Sequence, residues 1–138
     1  MSRTRAAVAL VFLLLAGCCF APRAAPGAPT GPLGVACAGH WTGNGIQPGY
    51  PPWPIDLNVT PSTGEPCGTI EYPSLGCGGQ LTTCGTLPNG ESSFTEVYTH
   101  TTASCSPAGT IHASCVGATM TWTWEGQGGP VTTTLTRM

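Results

Sequence analysis

The sequence predicts an all-β protein, most simply an eight-stranded antiparallel meander barrel braced by disulfides. Threonine is abundant and charged residues make up only 7% of the chain. Turn residues recur about every ten positions, which is typical of β-sandwiches and barrels. Consecutive antiparallel strands bury one face best by closing on themselves, because closure also removes exposed edges. A two-sheet β-sandwich is the second choice.

Eight segments have the length and alternation of strands. In the second segment, Ile55, Leu57 and Val59 share one face, and residues 120–124 alternate in the same way between threonine and larger apolar side chains. The Asn-Gly pair at 89–90 is a hairpin-turn signal, since both residues tolerate positive φ. The predicted strands are 39–45, 54–60, 67–73, 79–86, 92–100, 109–115, 118–125 and 130–137.

The third and fourth strands flank a short loop at 74–78. If Ile70 pairs with Leu81, the same register places Cys67 opposite Cys84. The apolar pair and the cysteine pair then fall on opposite faces, as the alternation of a strand requires. This register predicts a cross-strand Cys67–Cys84 disulfide.

The N-terminus has the features of a secretory signal peptide. Arg3 and Arg5 precede an uncharged run over 6–16, which is shorter than the roughly 20 apolar residues of a membrane-spanning helix. A cut after Ala21 or Ala25 is one reading of its end.

The favoured reading is a cut before Cys18. Leu15-Ala16-Gly17-Cys18 resembles a bacterial lipobox, which implies a diacylglyceryl group of the palmitate type on Cys18 and a place on the extracytoplasmic face of the cell membrane. Cys19 is a second candidate acceptor. Two or more acyl chains anchor a protein stably without a transmembrane helix. The predicted parts are a signal peptide at 1–17, a lipidated cysteine with an Ala/Pro/Gly tether at 18–34, and the barrel domain at 35–138.

Six further cysteines lie in the domain, and an even number in a small exported domain predicts disulfides. Zinc is the competing reading, but the close ligand spacing of zinc sites is missing from the sequence, so we expect no metal and no cofactor. After Cys67 and Cys84, three pairings remain open for Cys37, Cys77, Cys105 and Cys115.

The charge pattern argues against nucleic acid as a partner. The chain has no lysine, and loss of the signal peptide would leave Arg23 and Arg137 as its fixed positive charges. Phosphate binding needs clustered basic residues. We therefore expect partners of other kinds: the membrane through the lipid, and a small apolar ligand or an envelope protein.

Three stretches resemble a known type of domain: 68–81, Phe94-Thr95-Glu96, and the ending with Trp122-Thr123-Trp124 and Leu135-Thr136-Arg137. They are similar to a small extracytoplasmic β domain of actinobacterial-type secreted proteins and of some bacterial serine/threonine kinase C-termini. The resemblance covers most of 39–137. It implies an accessory or sensing role and a Cys77–Cys105 disulfide, and we favour Cys37–Cys115 beside it.

The motif at 39–43, with Trp41 at its centre, opens the domain, and Arg137 closes it. This arrangement is a weaker likeness, to the calycin-like barrels of the lipocalin and avidin type. First and last strands are neighbours in a closed barrel, so the likeness implies that Arg137 packs on Trp41 at the barrel floor.

Glu96 is the candidate buried charge. It lies between Phe94 and Tyr98 on one face of its strand, so an inward face would carry a carboxylate into an apolar interior. The favoured reading is a buried Glu96–Arg137 pair. A ligand-binding Glu96 with a raised pKa and a Glu96 that reaches solvent at the barrel mouth are the alternatives.

Trp53 is the candidate contact residue, because it stands in a proline-rich stretch between the first two predicted strands. It is either presented to a partner or tucked over the barrel mouth. The sequence contains no recognisable catalytic motif, so we expect a non-enzymatic binding or accessory module. The alternative is a protease-inhibitor-like or other protein-interaction module that uses loop 46–54, and an enzyme ranks third.

Overall fold

The computed structural model describes residues 35–61 and 64–138, together with Pro29. Within these residues, eight strands form one closed antiparallel barrel in which each strand pairs with the next and the last pairs with the first. The predicted fold class is confirmed. The predicted signal peptide, Cys18, Cys19 and most of the predicted tether lie outside the described residues. No helix in the described ranges is long and apolar enough to span a bilayer.

A short 3-10 helix, Val35–Cys37, leads into the barrel. The strand bounds differ from the predicted ones by at most two residues. The strands are β1 (Gly39–Gly45), β2 (Trp53–Val59), β3 (Gly68–Tyr72), β4 (Cys77–Thr86), β5 (Ser92–His100), β6 (Thr110–Val116), β7 (Thr119–Glu125) and β8 (Val131–Arg137).

The pairing of β3 with β4 is shifted by two residues from the predicted register. Ile70 lies opposite Gly79, and not opposite Leu81. The connection is tighter than expected, because the chain turns within 73–76, where Gly76 has a φ of 70°. Glycine adopts this left-handed conformation without a steric penalty, so β4 begins earlier and pairs further along β3.

Cys67 and Cys84 are nevertheless joined, with 6.2 Å between their Cα atoms. A bulge at 82–85 places one extra residue in β4, and Thr83 within it has a φ of 48°. The bulge turns the strand and brings Cys84 back towards Cys67. The predicted disulfide is present, whereas the regular ladder that suggested it is wrong.

One end of the barrel, the closed end, is sealed around Trp41. Its indole is fully buried and donates a hydrogen bond from Nε1 to the carbonyl of Cys37 at 2.9 Å. The Arg137 guanidinium lies 4.5 Å from the Trp41 ring centroid and donates to the carbonyl of Ala36 at 2.7 Å. The Cys37–Cys115 disulfide ties the entering chain to β6. The expected contact of Arg137 with Trp41 is therefore present.

The connections of a meander alternate between the two ends of its barrel. The β2–β3, β4–β5 and β6–β7 connections lie at the closed end, and the other four loops surround the opposite, open end. Large buried side chains fill the interior of the barrel. They include Trp41, Ile55, Leu57, Ile70, Leu81, Phe94, Ile111, Met120 and Leu135.

Candidate functional site

The open end of the barrel contains a cavity of about 560 Å³ that is partly open to solvent. Ligand sites typically measure about 300–1,000 Å³ and have mainly apolar and aromatic walls. We call this cavity the aromatic cup, after the six rings that line it. These rings belong to Tyr50, Trp53, Tyr72, Tyr98, Trp122 and Trp124.

Trp53 does not lie in a loop, as the sequence suggested, but begins β2 opposite Gly45. A Cβ atom on Gly45 would stand 2.3 Å from the Trp53 ring, so the glycine makes room for the indole. The ring is half-buried and packs against the core. Of the two expected arrangements, the structure shows the one in which Trp53 packs over the mouth of the barrel.

Glu96 is 2% exposed and lies beneath the aromatic cup. Its Oε1 accepts a hydrogen bond from the Tyr72 hydroxyl. Its Oε2 accepts from Trp124 Nε1 at 2.6 Å and from the Gly109 backbone N–H at 3.1 Å. Three donors on two oxygens suit an ionised carboxylate, which accepts hydrogen bonds and donates none.

The predicted Glu96–Arg137 pair is wrong. Arg137 ends β8 at the closed end, where it is held by Trp41 and Ala36. Glu96 is the middle residue of β5, and it is bonded by uncharged groups that include Tyr72 and Trp124, which stand at the open ends of β3 and β7. Alternation along the strands indicates which face a side chain takes, but not its height along the barrel axis, and height separates these two residues.

The electrostatics of Glu96 reflect two opposing effects. Burial raises the pKa of the Glu96 carboxyl, and the hydrogen bonds from Tyr72, Trp124 and Gly109 lower it in part. Burial and the nearby charge of Glu96 together raise the pKa of Tyr72 well above its usual range, and the same two causes raise that of Tyr98. Both phenols stay neutral at physiological pH.

Trp124 reaches Glu96 because glycines stand beside its ring. A Cβ atom on Gly109 would be 2.6 Å from Trp124 Nε1, and one on Gly126 would be 2.3 Å from the far edge of the indole. A backbone hydrogen bond also joins Glu96 and Gly109, because the N–H of Glu96 donates to the Gly109 carbonyl at 3.0 Å. Gly109 therefore fixes both the strand and the indole around the carboxylate.

Trp122 also lines the cup, and its Nε1 is buried without a hydrogen-bond partner. It is the only such side-chain nitrogen or oxygen in the part of the chain that the structure describes. Buried polar groups are usually bonded, because an unmade hydrogen bond costs about 1–3 kcal/mol.

The Cys77–Cys105 disulfide joins the start of β4 to the β5–β6 loop. Both cysteines line the cup, so the bond fixes one wall of it. Thr102 adds a second tie to the same wall, because its hydroxyl donates to the Leu75 carbonyl at 2.7 Å. The three disulfides of the described domain therefore join the three pairs that were favoured from the sequence.

Each of the three histidines pairs with a carboxylate on the outside of the barrel. The distances from the histidine Nε2 to the carboxylate oxygen are 2.9 Å for His40–Asp56, 3.0 Å for His100–Glu71 and 3.9 Å for His112–Glu125. No group of three or more metal-ligating side chains occurs among residues 35–61 and 64–138.

Sequence reasoning identified Glu96 but missed its partners. Tyr72, Trp124 and Gly109 come from three other parts of the chain. The pairing of β5 with β6 and of β6 with β7 brings Gly109 and Trp124 to the carboxylate. The inward alternation of Trp122 and Trp124 was the one available signal.

Comparisons of the chain with protein-family models, curated proteins and solved structures found no match.

Proposed function

We propose that this protein is a non-enzymatic binding module that holds a small, largely apolar ligand in the aromatic cup. The observation that carries the proposal is the 560 Å³ cavity with six rings in its wall. Tyr72, Trp122 and Trp124 belong to the buried core and form the floor of the cup, whereas Tyr50, Trp53 and Tyr98 are more exposed and form its rim. Covering apolar surface gains about 25 cal/mol per Å², which gives a ligand in the cup a driving force.

The chemistry of the wall favours binding over catalysis. Among the described residues, those that line the cup include no charged side chain. Glu96 lies behind the wall and is already bonded by three donors. The wall offers hydroxyls, amides and rings, which orient a ligand and do not supply a nucleophile paired with a base.

The setting that we propose is the extracytoplasmic face of the cell membrane, with lipid attached at Cys18. The charged N-terminus, the short apolar run and the lipobox-like Leu15–Cys18 support it. Changing Cys18 to serine should release a folded protein from the membrane fraction, whereas Cys19→Ser should leave it bound. A membrane-bound Cys18→Ser protein would contradict the anchor.

Native mass spectrometry of protein purified from its own host tests the binding function. We expect a retained small molecule in the wild type and in Ala118→Trp, which alters the closed end. Ala103→Trp places an indole in the wall of the cup and should lose that molecule. Equal retention by both variants would place the ligand elsewhere, and the proposed site would be wrong.

A protein-interaction module is the second candidate, and the β1–β2 loop favours it. Ile46 and Tyr50 are 61% and 66% exposed there. Such side chains at a rim suit a protein contact of the protease-inhibitor-like or another kind. Ile46→Ser with Tyr50→Ser should abolish recovery of an envelope protein in a pull-down, while Ala103→Trp should matter less. The reverse ranking would support the small ligand.

A further inference from the structure

We infer that the aromatic cup takes an apolar organic cation of the quaternary ammonium class. This inference rests on the proposed binding function and adds the sign of the ligand's charge. It follows from three observations: a buried carboxylate without a cationic partner, its direct bonds to the rings of the cup, and an aromatic wall that lacks a charged acceptor.

The carboxylate of Glu96 has uncharged partners only. Its three donors are a phenol, an indole and a backbone N–H. Arg137 is the one arginine or lysine in the described ranges, and it is held at the closed end. His100, on the outer surface, pairs with Glu71. A buried charge without an opposite charge is costly, so a cation nearby stabilises it.

Glu96 is linked to the cup through two of the rings that line it. Tyr72 and Trp124 both line the cavity, although they are largely buried, and both donate a hydrogen bond to the carboxylate. A donor bonded to an anion transfers negative charge towards its own ring, which makes the ring face more attractive to a cation. Cations over the faces of tryptophan and tyrosine gain about 0.5–2 kcal/mol, and the larger values apply to desolvated sites.

The wall of the cup selects the class of cation. A primary ammonium group carries three N–H donors and is held best by a charged acceptor in direct contact, which the described residues of the wall do not include. The carboxylate of Glu96 already accepts three hydrogen bonds and is not among the lining residues. A fully alkylated ammonium has no N–H to satisfy and presents methyl groups, which pack well against aromatic faces. Its charge still interacts with Glu96 through a water-poor interior, where charges are weakly screened.

Choline and 3,3-dimethylbutan-1-ol form a suitable pair of probes, because they have the same shape and differ in charge. Calorimetric or NMR titration of the disulfide-bonded protein at neutral pH should show choline binding at least tenfold more tightly than the alcohol. Glu96→Gln should reduce choline affinity to that of the alcohol and leave the alcohol unchanged. Ala103→Trp should weaken both probes, and Ala118→Trp neither.

Each outcome separates this inference from the function on which it rests. Equal binding of choline and the alcohol would overturn the cationic ligand and keep an apolar one. Failure of both probes would also overturn the cation site, and native mass spectrometry of the host protein would then decide separately whether the cup binds a ligand. If Glu96→Gln does not fold, the preference of the wild type for choline over the alcohol, and a smaller preference in Tyr72→Phe, provide the test.

Discussion

The Tyr72 hydroxyl on β3 donates a hydrogen bond to the Glu96 carboxylate on β5 inside the barrel. The bond spans β4, which lies between the two strands in the sheet. It joins a residue of the cup wall to a buried carboxylate. The stability of the open end of the barrel therefore depends on the charge of Glu96. Four predictions follow from this region and from the strand geometry that creates it.

Removing the Tyr72 hydroxyl should destabilise the protein. Tyr72→Phe leaves the carboxylate with two of its three donors, so we expect the free energy of unfolding to fall by about 1–3 kcal/mol. Urea unfolding at neutral pH measures it. Tyr98→Phe is the matched control, because Tyr98 lines the same cup without a hydrogen bond to Glu96 among the described contacts. An equal loss in both variants would mean that the bond to Glu96 adds nothing.

Stability should depend on pH through Glu96. Its folded-state pKa is raised above the ordinary value of 4.5, so the folded protein holds this proton more strongly than the unfolded chain. The stabilisation is therefore present below that ordinary value and is lost as pH rises through the raised pKa. Tyr72 and Tyr98 face the same carboxyl, and both stay neutral here because their pKa values are raised.

Glu96→Gln should remove this contribution. Urea titration at intervals from about pH 4 to pH 8 measures the unfolding free energy of the wild type and of the variant. The difference between the two isolates the contribution of Glu96, because the outer carboxylates are common to both proteins. We expect the wild type to lose stability relative to the variant as pH rises. A constant difference across the range would show that Glu96 does not titrate there.

Gly109→Ala should disturb the site through Trp124. The added Cβ would stand 2.6 Å from the indole nitrogen and 2.5 Å from the Glu125 carbonyl, so the ring must move away from Glu96. We expect a shift in tryptophan emission and a stability loss of about 1–3 kcal/mol. At Gly64 a Cβ would meet nothing within 4 Å, so Gly64→Ala should change neither readout. Unchanged emission in Gly109→Ala would contradict the packing described.

Thr83→Gly should stabilise the protein. A β-branched residue with a φ of 48° is strained, and the left-handed region costs an ordinary residue about 1–2 kcal/mol. Glycine removes that cost but lowers the stability by about 0.5–1 kcal/mol, because it has more conformational entropy to lose on folding. The melting temperature should therefore rise by a small amount. Thr121→Gly, at an exposed position in β7, has only the entropy loss and should lower it. A lower melting temperature for Thr83→Gly would exclude strain at this bulge.

The strands were predictable because their alternation is local. Ile55, Leu57 and Val59 face inwards by period two alone, and closure of the barrel follows from the number of such strands. The inward position of Glu96 was predictable for the same reason. Local patterns carry this information because the pleat of a strand fixes which side each residue takes.

The partners of Glu96 were not predictable, because they depend on registers set by turns and bulges. The tight turn before β4 and the bulge at Thr83 each shift a strand, and neither has a clear signal in the sequence. A shift of two residues keeps every side chain on its face and changes only its neighbours. Cys67 is bonded to Cys84 despite the shift, whereas Glu96 accepts hydrogen bonds from Tyr72 and Trp124 and does not contact Arg137.

The 3-10 helix Val35–Cys37 brings the chain into the closed end, where Cys37 is bonded to Cys115. The aromatic cup lies at the opposite end, among the other four loops. A lipid attached at Cys18, as we propose, would therefore join the barrel at its closed end, opposite the mouth of the cup. The point of attachment would then leave that mouth uncovered.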